Sequence, residues 1–345
     1  MGTSPFEFDL PPDRIAQEPA AERDGAKLLV LSRSGDGSPS HRWIVDLPGL
    51  LEEGDLLVAN RSRVFPARLR AERETGGRVE LLLLEETAPT TWRAIARPMR
   101  RLRIGESLRL VGRDGPSEDK VEIIHLEAGT LEISFGAGAA PLALAQRFGE
   151  TPLPPYILRP NGPTDVDRDR YQTVFARELG SVAAPTAGLH LSERLLKQLA
   201  ARGVRFAEVV LHVGPATFMA GQPGRETLAV EPERSEVPEE TRKAIAETRG
   251  RGRVIAVGTT TTRALEAAAR SGWPAGLQTT DLVLRPGAEF RAIDALLTNF
   301  HLPESSLLSL VCGFAGTAHT EQAYRAALEG GYRFYSYGDA MVVLP

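Results

Sequence analysis

The sequence predicts an α/β main domain with a small antiparallel β-barrel-like domain inserted into it. Two regions of the 345-residue chain differ in their pattern of predicted strands and helices. Short β-rich runs follow one another in the middle, whereas strand and helix patterns alternate after Pro152. The early apolar segments Leu28–Leu31 and Asp55–Asn60 resemble the alternating part. We therefore expect residues 1–63 and 151–345 to form the α/β domain, and residues 64–150 to be an insertion that a surface loop accommodates at small cost.

The inserted domain is predicted from its strands and from the turns between them. No helical pattern interrupts the series, and turn signals such as Thr75-Gly76-Gly77 and Gly105-Glu106 separate its members. This arrangement is typical of a small antiparallel barrel or sandwich. The β-rich runs are RVELLLLE (78–85), TWRAIAR (91–97), ESLRLV (106–111), KVEIIHLE (120–127) and TLEISF (130–135).

The α/β domain is predicted from apolar runs that alternate with helical periodicity. Besides the two early segments, the expected strands are Val182–Ala184, Phe206–Val213, Val254–Val257, Leu282–Leu284 and Ala340–Leu344. The expected helices are Ser192–Ala201, Glu239–Arg249, Thr262–Arg270, Glu304–Phe314 and Glu321–Glu329.

The composition, 42% hydrophobic and 25% charged, is that of an ordinary globular protein. A single cysteine, Cys312, excludes an internal disulfide and a cysteine-rich zinc site. The N-terminus lacks a secretory pattern and no apolar run is long enough for a membrane span, so we expect a cytoplasmic protein. A net charge of −4 argues against general DNA coating, but it permits a local basic surface for RNA.

A threonine-rich turn is the clearest candidate ligand site. The segment VIAVGTTTTRALEAAA (254–269) runs from an apolar strand through Gly258 into an alanine-rich helix. Thr259 or Thr260 could cap this helix, leaving N–H groups for a carboxylate or a phosphate at the carboxyl end of a strand. The alternative is an ordinary capped helix. The usual dinucleotide, P-loop and nucleophile-elbow motifs are absent from the sequence.

Three further residues are candidate functional residues, although each could instead be structural, Asp339 for example as a turn residue. His190 lies in a Pro/Gly loop before a helix, His301 lies before an apolar helix, and Asp339 precedes the C-terminal strand. His212, at the end of an apolar strand, is at least as well explained by a structural role. No two of these four are spaced as a helical ligand pair, so we expect no metal.

Arginines form three clusters. A single arginine run is most often a solvated surface, but three runs in a net-acidic chain suggest charge segregation, and hence the hypothesis of a phosphate-contacting face. The clusters are Arg97, Arg100, Arg101 and Arg103; Arg61, Arg63, Arg68, Arg70 and Arg73; and Arg249, Arg251 and Arg253.

The whole chain resembles the S-adenosylmethionine:tRNA ribosyltransferase-isomerase family of queuosine synthesis. The motifs that carry the resemblance are FDLPPDRIAQ (8–17), GDLLVAN (54–60), RVFPARL (63–69), TGGRVELLLLE (75–85), LPPYI (153–157), RYQTVFA (170–176), GSVAAPTAGLH (180–190), LHVGPATF (211–218), GTTTTRALE (258–266), TNFHLPESSLL (298–308) and YRFYSYGDAM (332–341).

The resemblance implies transfer of the ribosyl part of S-adenosylmethionine to 7-aminomethyl-7-deazaguanine in tRNA. The ribosyl part is rearranged to an epoxy-cyclopentane, giving epoxyqueuosine, while adenine and methionine leave. The sulfonium acidifies the adjacent C5′ protons, so a moderate base could remove one, and an acid should protonate departing adenine. The sulfonium itself favours acidic or aromatic surroundings.

The resemblance also implies roles for residues of this chain. His190, His301 and Asp339 are the candidates for proton transfer, without a division into base and acid. The partners are S-adenosylmethionine as substrate and tRNA, with a monomeric protein and no membrane. The expected S-adenosylmethionine contacts are Thr186, Gly258, Thr259, Thr260, Thr261, Arg263, Thr298 and Asn299. The expected RNA contacts are Arg63, Arg68, Arg97, Arg100 and Arg101.

Two segments depart from the family pattern. Members usually read N-D-T-R-V where this chain reads N-R-S-R-V (60–64), so Arg61 replaces an acid. They also usually carry an H-x-M-H-S-E stretch where this chain reads LAVEPERSEV (228–237), with Glu231 at the second histidine. These departures are consistent with tolerated drift, with a paralogue that has a different acceptor, or with an inactive protein. Besides the family activity, three alternatives stay open: a divergent paralogue that binds S-adenosylmethionine but modifies another acceptor, a non-catalytic tRNA-binding protein, and a metal-dependent hydrolase.

Overall fold

A computed structural model describes residues 6–112, 115–127, 129–214, 232–303 and 305–345. Within these ranges seventeen strands and seven α-helices are described. The strands are β1 (Lys27–Ser32), β2 (Ser40–Trp43), β3 (Leu56–Asn60), β4 (Ser62–Val64), β5 (Arg68–Arg73), β6 (Arg78–Ala88), β7 (Thr91–Arg97), β8 (Ser107–Gly112), β9 (Gly115–Glu127), β10 (Thr130–Ser134), β11 (Glu178–Ser181), β12 (Arg205–Leu211), β13 (Glu233–Glu236), β14 (Val254–Val257), β15 (Gln278–Thr280), β16 (Ala295–Asn299) and β17 (Ala340–Leu344). The helices are α1 (Pro141–Phe148), α2 (Asp165–Arg170), α3 (Glu193–Ala201), α4 (Glu239–Thr248), α5 (Thr259–Arg270), α6 (Ser306–Ala315) and α7 (Thr317–Glu329), with short 3-10 helices at Pro12–Arg14, Arg23–Gly25, Ile44–Gly49 and Thr186–His190.

The main domain is built on a nine-stranded mixed sheet. Its strand order is β15-β13-β12-β3-β14-β16-β17-β1-β2. The four central strands β12, β3, β14 and β16 run parallel, and β17 is antiparallel to β16. The carboxyl ends of those four strands and the start of β17 therefore lie at one edge of the sheet, where ligands bind in open α/β sheets.

Alternating side chains of the central strands bury both faces of this sheet. In β14, Val254 and Ala256 pack into one core, with helices α4 to α7, while Ile255 and Val257 pack into the other. The second core includes α3 and the 3-10 helix Ile44–Gly49. Strands covered on both faces are expected to be apolar throughout, as VIAV is.

The inserted part is a closed barrel of six antiparallel strands in the order β10-β7-β6-β5-β8-β9. Alternate residues such as Leu69, Ala71, Leu81 and Leu83 fill its core. Closure leaves no free sheet edge, which protects the short strands from pairing with other chains.

The predicted fold class is confirmed, and several predicted elements need correction. Strands Val254–Val257 and Ala340–Leu344 have the predicted bounds. The predictions of strands at Val182–Ala184 and Leu282–Leu284 are wrong, because the pairing strands are their neighbours β11 and β15. Strands β2, β4, β5, β13 and β16 and helices α1 and α2 were not predicted. Within the described ranges, no helix combines the length and apolar character that crossing a bilayer requires.

Candidate active site

Several predicted site residues meet at the edge where β14 and β16 end and β17 begins. Val257 pairs with Leu297, and Asn299 pairs with Ala340. Gly258 therefore directly follows β14, Thr298 lies near the end of β16, and Asp339 directly precedes β17. The 3-10 helix Thr186–His190 packs over this edge: a Cβ on Gly258 would lie 3.4 Å from Cβ of Ala187. Thr186 is partly exposed at the start of that helix.

His190 is buried against the end of β16. The side-chain amide nitrogen Nδ2 of Asn299 lies 3.1 Å from Nε2 of His190 and donates to the Tyr335 carbonyl at 3.2 Å. Tyr335 has φ of 71°, a conformation that costs a non-glycine residue about 1–3 kcal/mol and is concentrated at functional sites. Burial, and to a smaller extent Arg333, lowers the pKa of His190 to about 4. His190 is therefore neutral at pH 7.

His301 is two residues after Asn299, the partner of His190, and is partly exposed. Its Nε2 is 2.9 Å from Oγ1 of Thr298, and its backbone N–H donates to the Tyr324 hydroxyl at 2.9 Å. Desolvation lowers the pKa of His301 to about 4. The structure thus ties the two predicted histidines to consecutive residues, Thr298 and Asn299, of one strand.

Asp339 lies at the same edge, but both oxygens of its carboxylate accept hydrogen bonds from the backbone. One oxygen accepts the Lys27 backbone N–H at 2.9 Å, and the other accepts the Arg333 backbone N–H at 2.8 Å. These bonds join the start of β1 to the segment before β17. The geometry suits a positioning role better than proton transfer. Among the described residues, no three His, Cys, Asp or Glu side chains gather in a way that could hold a metal ion.

The threonine-rich turn differs from the prediction in its cap. The expected side-chain cap from Thr259 or Thr260 is wrong: Gly258 occupies the N-cap with φ of 91°, and no side chain caps α5. Thr261 and Thr262 donate instead to the carbonyls four residues earlier, at 2.7 and 3.1 Å. The first N–H groups of α5 consequently remain available to an anion.

Arg263, predicted to contact S-adenosylmethionine, forms a buried ion pair with Glu233 of β13. Its Nε also donates to the Leu282 carbonyl at 3.0 Å. Nη2 of Arg263 and Oγ1 of Thr260 are buried without a hydrogen-bond partner among the described residues. Both atoms therefore have unused hydrogen-bonding capacity.

Of the five arginines predicted to contact RNA, Arg68 is half-buried and the other four are exposed. Arg68 is half-buried, 3.5 Å from Glu80, and donates to the Leu153 carbonyl at 3.0 Å. Arg68 and Arg97 line one cleft of about 230 Å³ between the barrel and the main domain. The exposed group, which has no ion pair within the described ranges, is Arg63, Arg97, Arg100 and Arg101.

Arg61, the first departure from the family pattern, lies among acids that the sequence did not signal. Its guanidinium is 4.0 Å from the carboxylates of Glu208 and Glu240. Burial raises the pKa of Glu208, although Arg177 and Arg61 oppose that shift. The second departure, at Glu231, lies outside the described residues.

Comparison with known proteins gives the family. The model of the queuosine biosynthesis protein family matches residues 3–343. The chain belongs to the queuosine biosynthesis protein family. It is 48% identical, over 99% of both chains, to a protein of Anaeromyxobacter sp. (strain Fw109-5) named S-adenosylmethionine:tRNA ribosyltransferase-isomerase. An Aquifex aeolicus protein of the same name is 45% identical over the full length of both chains.

A solved structure of the queuosine family is also similar. The crystal structure of S-adenosylmethionine tRNA ribosyltransferase from Thermotoga maritima has a TM-score of 0.57 at 36% identity, covering 99% of this chain and 100% of that chain. The resemblance stated from the motifs is confirmed.

The depressed pKa of His190 predicts how stability depends on pH. Its native pKa of about 4 lies below the ordinary 6.5, so the unfolded chain binds a proton that the native chain does not. Between these values, stability falls as pH falls, by about 1.4 kcal/mol per pH unit per such histidine. Urea unfolding between pH 7 and pH 5 should show this loss. It should be smaller in His190→Gln, and an unchanged slope would contradict the burial of a neutral His190.

The acidic surroundings of Arg61 predict what happens when this residue is replaced by the aspartate that is usual in the family. Arg61→Asp places a third carboxylate beside Glu208 and Glu240, so we expect a loss of about 1 kcal/mol in the free energy of unfolding. The matched control is Arg63→Asp, two residues away and exposed, which should change stability by less. Denaturant titration of both variants measures the difference; equal stabilities would refute the local explanation.

Proposed function

We infer that this chain is an S-adenosylmethionine:tRNA ribosyltransferase-isomerase. It transfers and isomerises the ribosyl part of S-adenosylmethionine onto 7-aminomethyl-7-deazaguanine in tRNA, with release of adenine and methionine. The observation that carries the proposal is the pairing of His190 and His301 with adjacent residues of β16, beside the uncapped start of α5, in a chain of this family.

The two histidines handle protons in this proposal, and Asp339 holds the loop beside them. Both histidines are neutral at pH 7, so each ring has one N–H that can donate a hydrogen bond and one unprotonated nitrogen that can accept one. The N–H groups at the start of α5 would bind the methionine carboxylate. The remaining S-adenosylmethionine contacts would come from Thr186, Gly258, Thr259, Thr260, Thr261, Arg263, Thr298 and Asn299.

The tRNA would cross the cleft between barrel and main domain. Arg97 lines this cleft and is exposed, and the turn after β7 carries Arg100 and Arg101 nearby in sequence. Arg63 and Arg68 complete the proposed RNA surface. We assign residues 64–150 to the inserted domain, and we expect a monomer that acts in the cytoplasm, without a metal.

Adenine release tests the reaction. The protein should release adenine when S-adenosylmethionine is mixed with tRNA that carries 7-aminomethyl-7-deazaguanine, and not with the same tRNA carrying guanine. Adenine release with other RNAs or amines, but not with this tRNA, would identify a divergent paralogue. Salt-dependent tRNA binding without S-adenosylmethionine binding in calorimetry would identify an RNA-binding protein and overturn the proposal.

The RNA surface has its own test. The double variant Arg100→Ala, Arg101→Ala should weaken tRNA binding and reduce the salt dependence of log Kd by about 1 for each lost phosphate contact. Arg325→Ala on α7 is the matched control, because Arg325 is an exposed arginine outside the proposed surface. Filter binding between low and moderate salt measures both. A slope unchanged in the double variant would remove these two arginines from the RNA surface.

A further inference from the structure

We propose that Thr298 and Asn299 give the two site histidines opposite tautomers, so that His190 is a hydrogen-bond donor and His301 is the proton acceptor. Thr298 and Asn299 are positioning residues in this account. The tautomers follow from hydrogen bonds within the protein, whereas the roles in the reaction rest on the proposed function.

The orientation of the Asn299 amide fixes the tautomer of His190. The amide atom that lies 3.2 Å from the Tyr335 carbonyl must be the nitrogen, because a carbonyl oxygen only accepts and a flipped amide would oppose two oxygens. The same nitrogen lies 3.1 Å from Nε2 of His190. An amide N–H only donates, so Nε2 carries the lone pair. The ring hydrogen of neutral His190 is therefore on Nδ1.

The hydroxyl of Thr298 fixes the tautomer of His301 in the opposite sense. Oγ1 of Thr298 lies 3.3 Å from the Asn299 carbonyl and 2.9 Å from Nε2 of His301. The hydroxyl has one hydrogen, so both contacts are hydrogen bonds only if it donates to the carbonyl and accepts from Nε2–H. His301 then carries its hydrogen on Nε2 and a lone pair on Nδ1. No described residue bonds to that Nδ1.

Opposite tautomers divide the work that the reaction requires. A proton that leaves the substrate can be taken by Nδ1 of His301, and the imidazolium formed keeps its Nε2–H bond to Thr298. His190 cannot take that proton, because the amide of Asn299 occupies its Nε2 and a hydrogen already occupies its Nδ1. A neutral histidine can still donate from Nδ1–H to a substrate atom that gains electron density, such as a nitrogen of departing adenine.

The tautomers can be read directly in the full-length protein without substrates. Long-range ¹H–¹⁵N correlation spectra of ¹⁵N-histidine-labelled protein at pH 7 show which ring nitrogen of each of the six histidines carries hydrogen. The single variants His190→Gln and His301→Gln assign the two sets of signals. We expect hydrogen on Nδ1 of His190 and on Nε2 of His301. Any other combination overturns the proposal.

Variants of the two positioning residues test the cause. Thr298→Val should abolish the preference of His301 for Nε2–H and leave His190 unchanged, and Thr298→Ser should restore it. Thr241→Val is the matched control: its buried hydroxyl donates to the Glu208 carbonyl, so neither histidine should respond. Asn299→Asp replaces a donor with an acceptor and should put hydrogen on Nε2 of His190. The assignment is contradicted if His301 still carries its hydrogen only on Nε2 in Thr298→Val. It is also contradicted if Nε2 of His190 still lacks a hydrogen in Asn299→Asp.

The spectra test the tautomers and the adenine assay tests the proposed function, so the two claims can be refuted independently. Wrong tautomers in a protein that releases adenine overturn this inference alone. Correct tautomers in a protein that releases no adenine overturn the proposed function and leave the tautomers in place.

Discussion

Replacing His301 with glutamine should lower the rate of adenine release about 100- to 10,000-fold, the range in which a positioned acid or base contributes. Glutamine can still hydrogen-bond Thr298 through its amide, but it cannot take up a proton. Nε2 of His301 is held 2.9 Å from Oγ1 of Thr298, which leaves Nδ1 for the substrate. The fold should survive, because His301 is partly exposed.

The measurement is single-turnover adenine release at saturating S-adenosylmethionine and tRNA. His125→Gln is the matched control, because His125 is exposed on β9 of the barrel, and it should react at the wild-type rate. Binding of S-adenosylmethionine to His301→Gln, followed by calorimetry, should stay close to that of the wild type. A variant rate near that of the wild type would exclude His301 as the proton acceptor.

Replacing Asp167 with alanine should reduce the free energy of unfolding by about 3–5 kcal/mol, since it leaves a guanidinium without its buried partner. Asp167 is fully buried in α2. It accepts two hydrogen bonds from Arg159, at 2.7 and 2.9 Å, and one from the Tyr337 hydroxyl at 3.0 Å. Burial disfavours its charge, but the bonds from Arg159 and Thr164 hold the pKa of Asp167 below its ordinary value.

Asp169→Ala, two residues along the same segment, is the control for the Asp167 variant. The Asp169 carboxylate is 81% exposed and reaches Arg23 only at 4.0 Å, so its loss should cost less than about 1 kcal/mol. Urea titration at pH 7 gives both values. Since Tyr337 directly precedes Gly338 and Asp339, Asp167→Ala should also slow adenine release. Equal stabilities of the two variants would refute the assigned role of Asp167.

The sequence predicted the strands best where a strand is buried on both faces. Val254–Val257 and Ala340–Leu344 are continuous apolar runs, so their bounds needed no knowledge of neighbours. β16 (Ala295–Asn299) was missed because its polar end, Thr298 and Asn299, reads as part of a loop. Only pairing with β14 and β17 makes it a strand. β15 was missed for the same reason: its residues are polar, and its strand character comes from pairing with β13.

The candidate site was predictable in its residues and not in its connections. His190 and His301 were identified because they lie in loops that precede helices. No sequence spacing indicates that Thr298 and Asn299, consecutive residues of β16, contact them. The strained φ of Tyr335, which directs its carbonyl at Asn299, leaves no mark on the sequence. The expected threonine cap failed because Gly258 takes the N-cap position with a positive φ, a conformation that a residue with a side chain adopts only under strain.

Transfer of the ribosyl group to tRNA is the central step of the proposed function, and nucleoside analysis tests it most directly. After incubation with S-adenosylmethionine, tRNA that carried 7-aminomethyl-7-deazaguanine should be digested and its nucleosides separated by mass. We predict the epoxy-cyclopentane product, epoxyqueuosine, in amounts equal to the adenine and methionine released. Unchanged tRNA, with or without adenine release, would contradict the central claim.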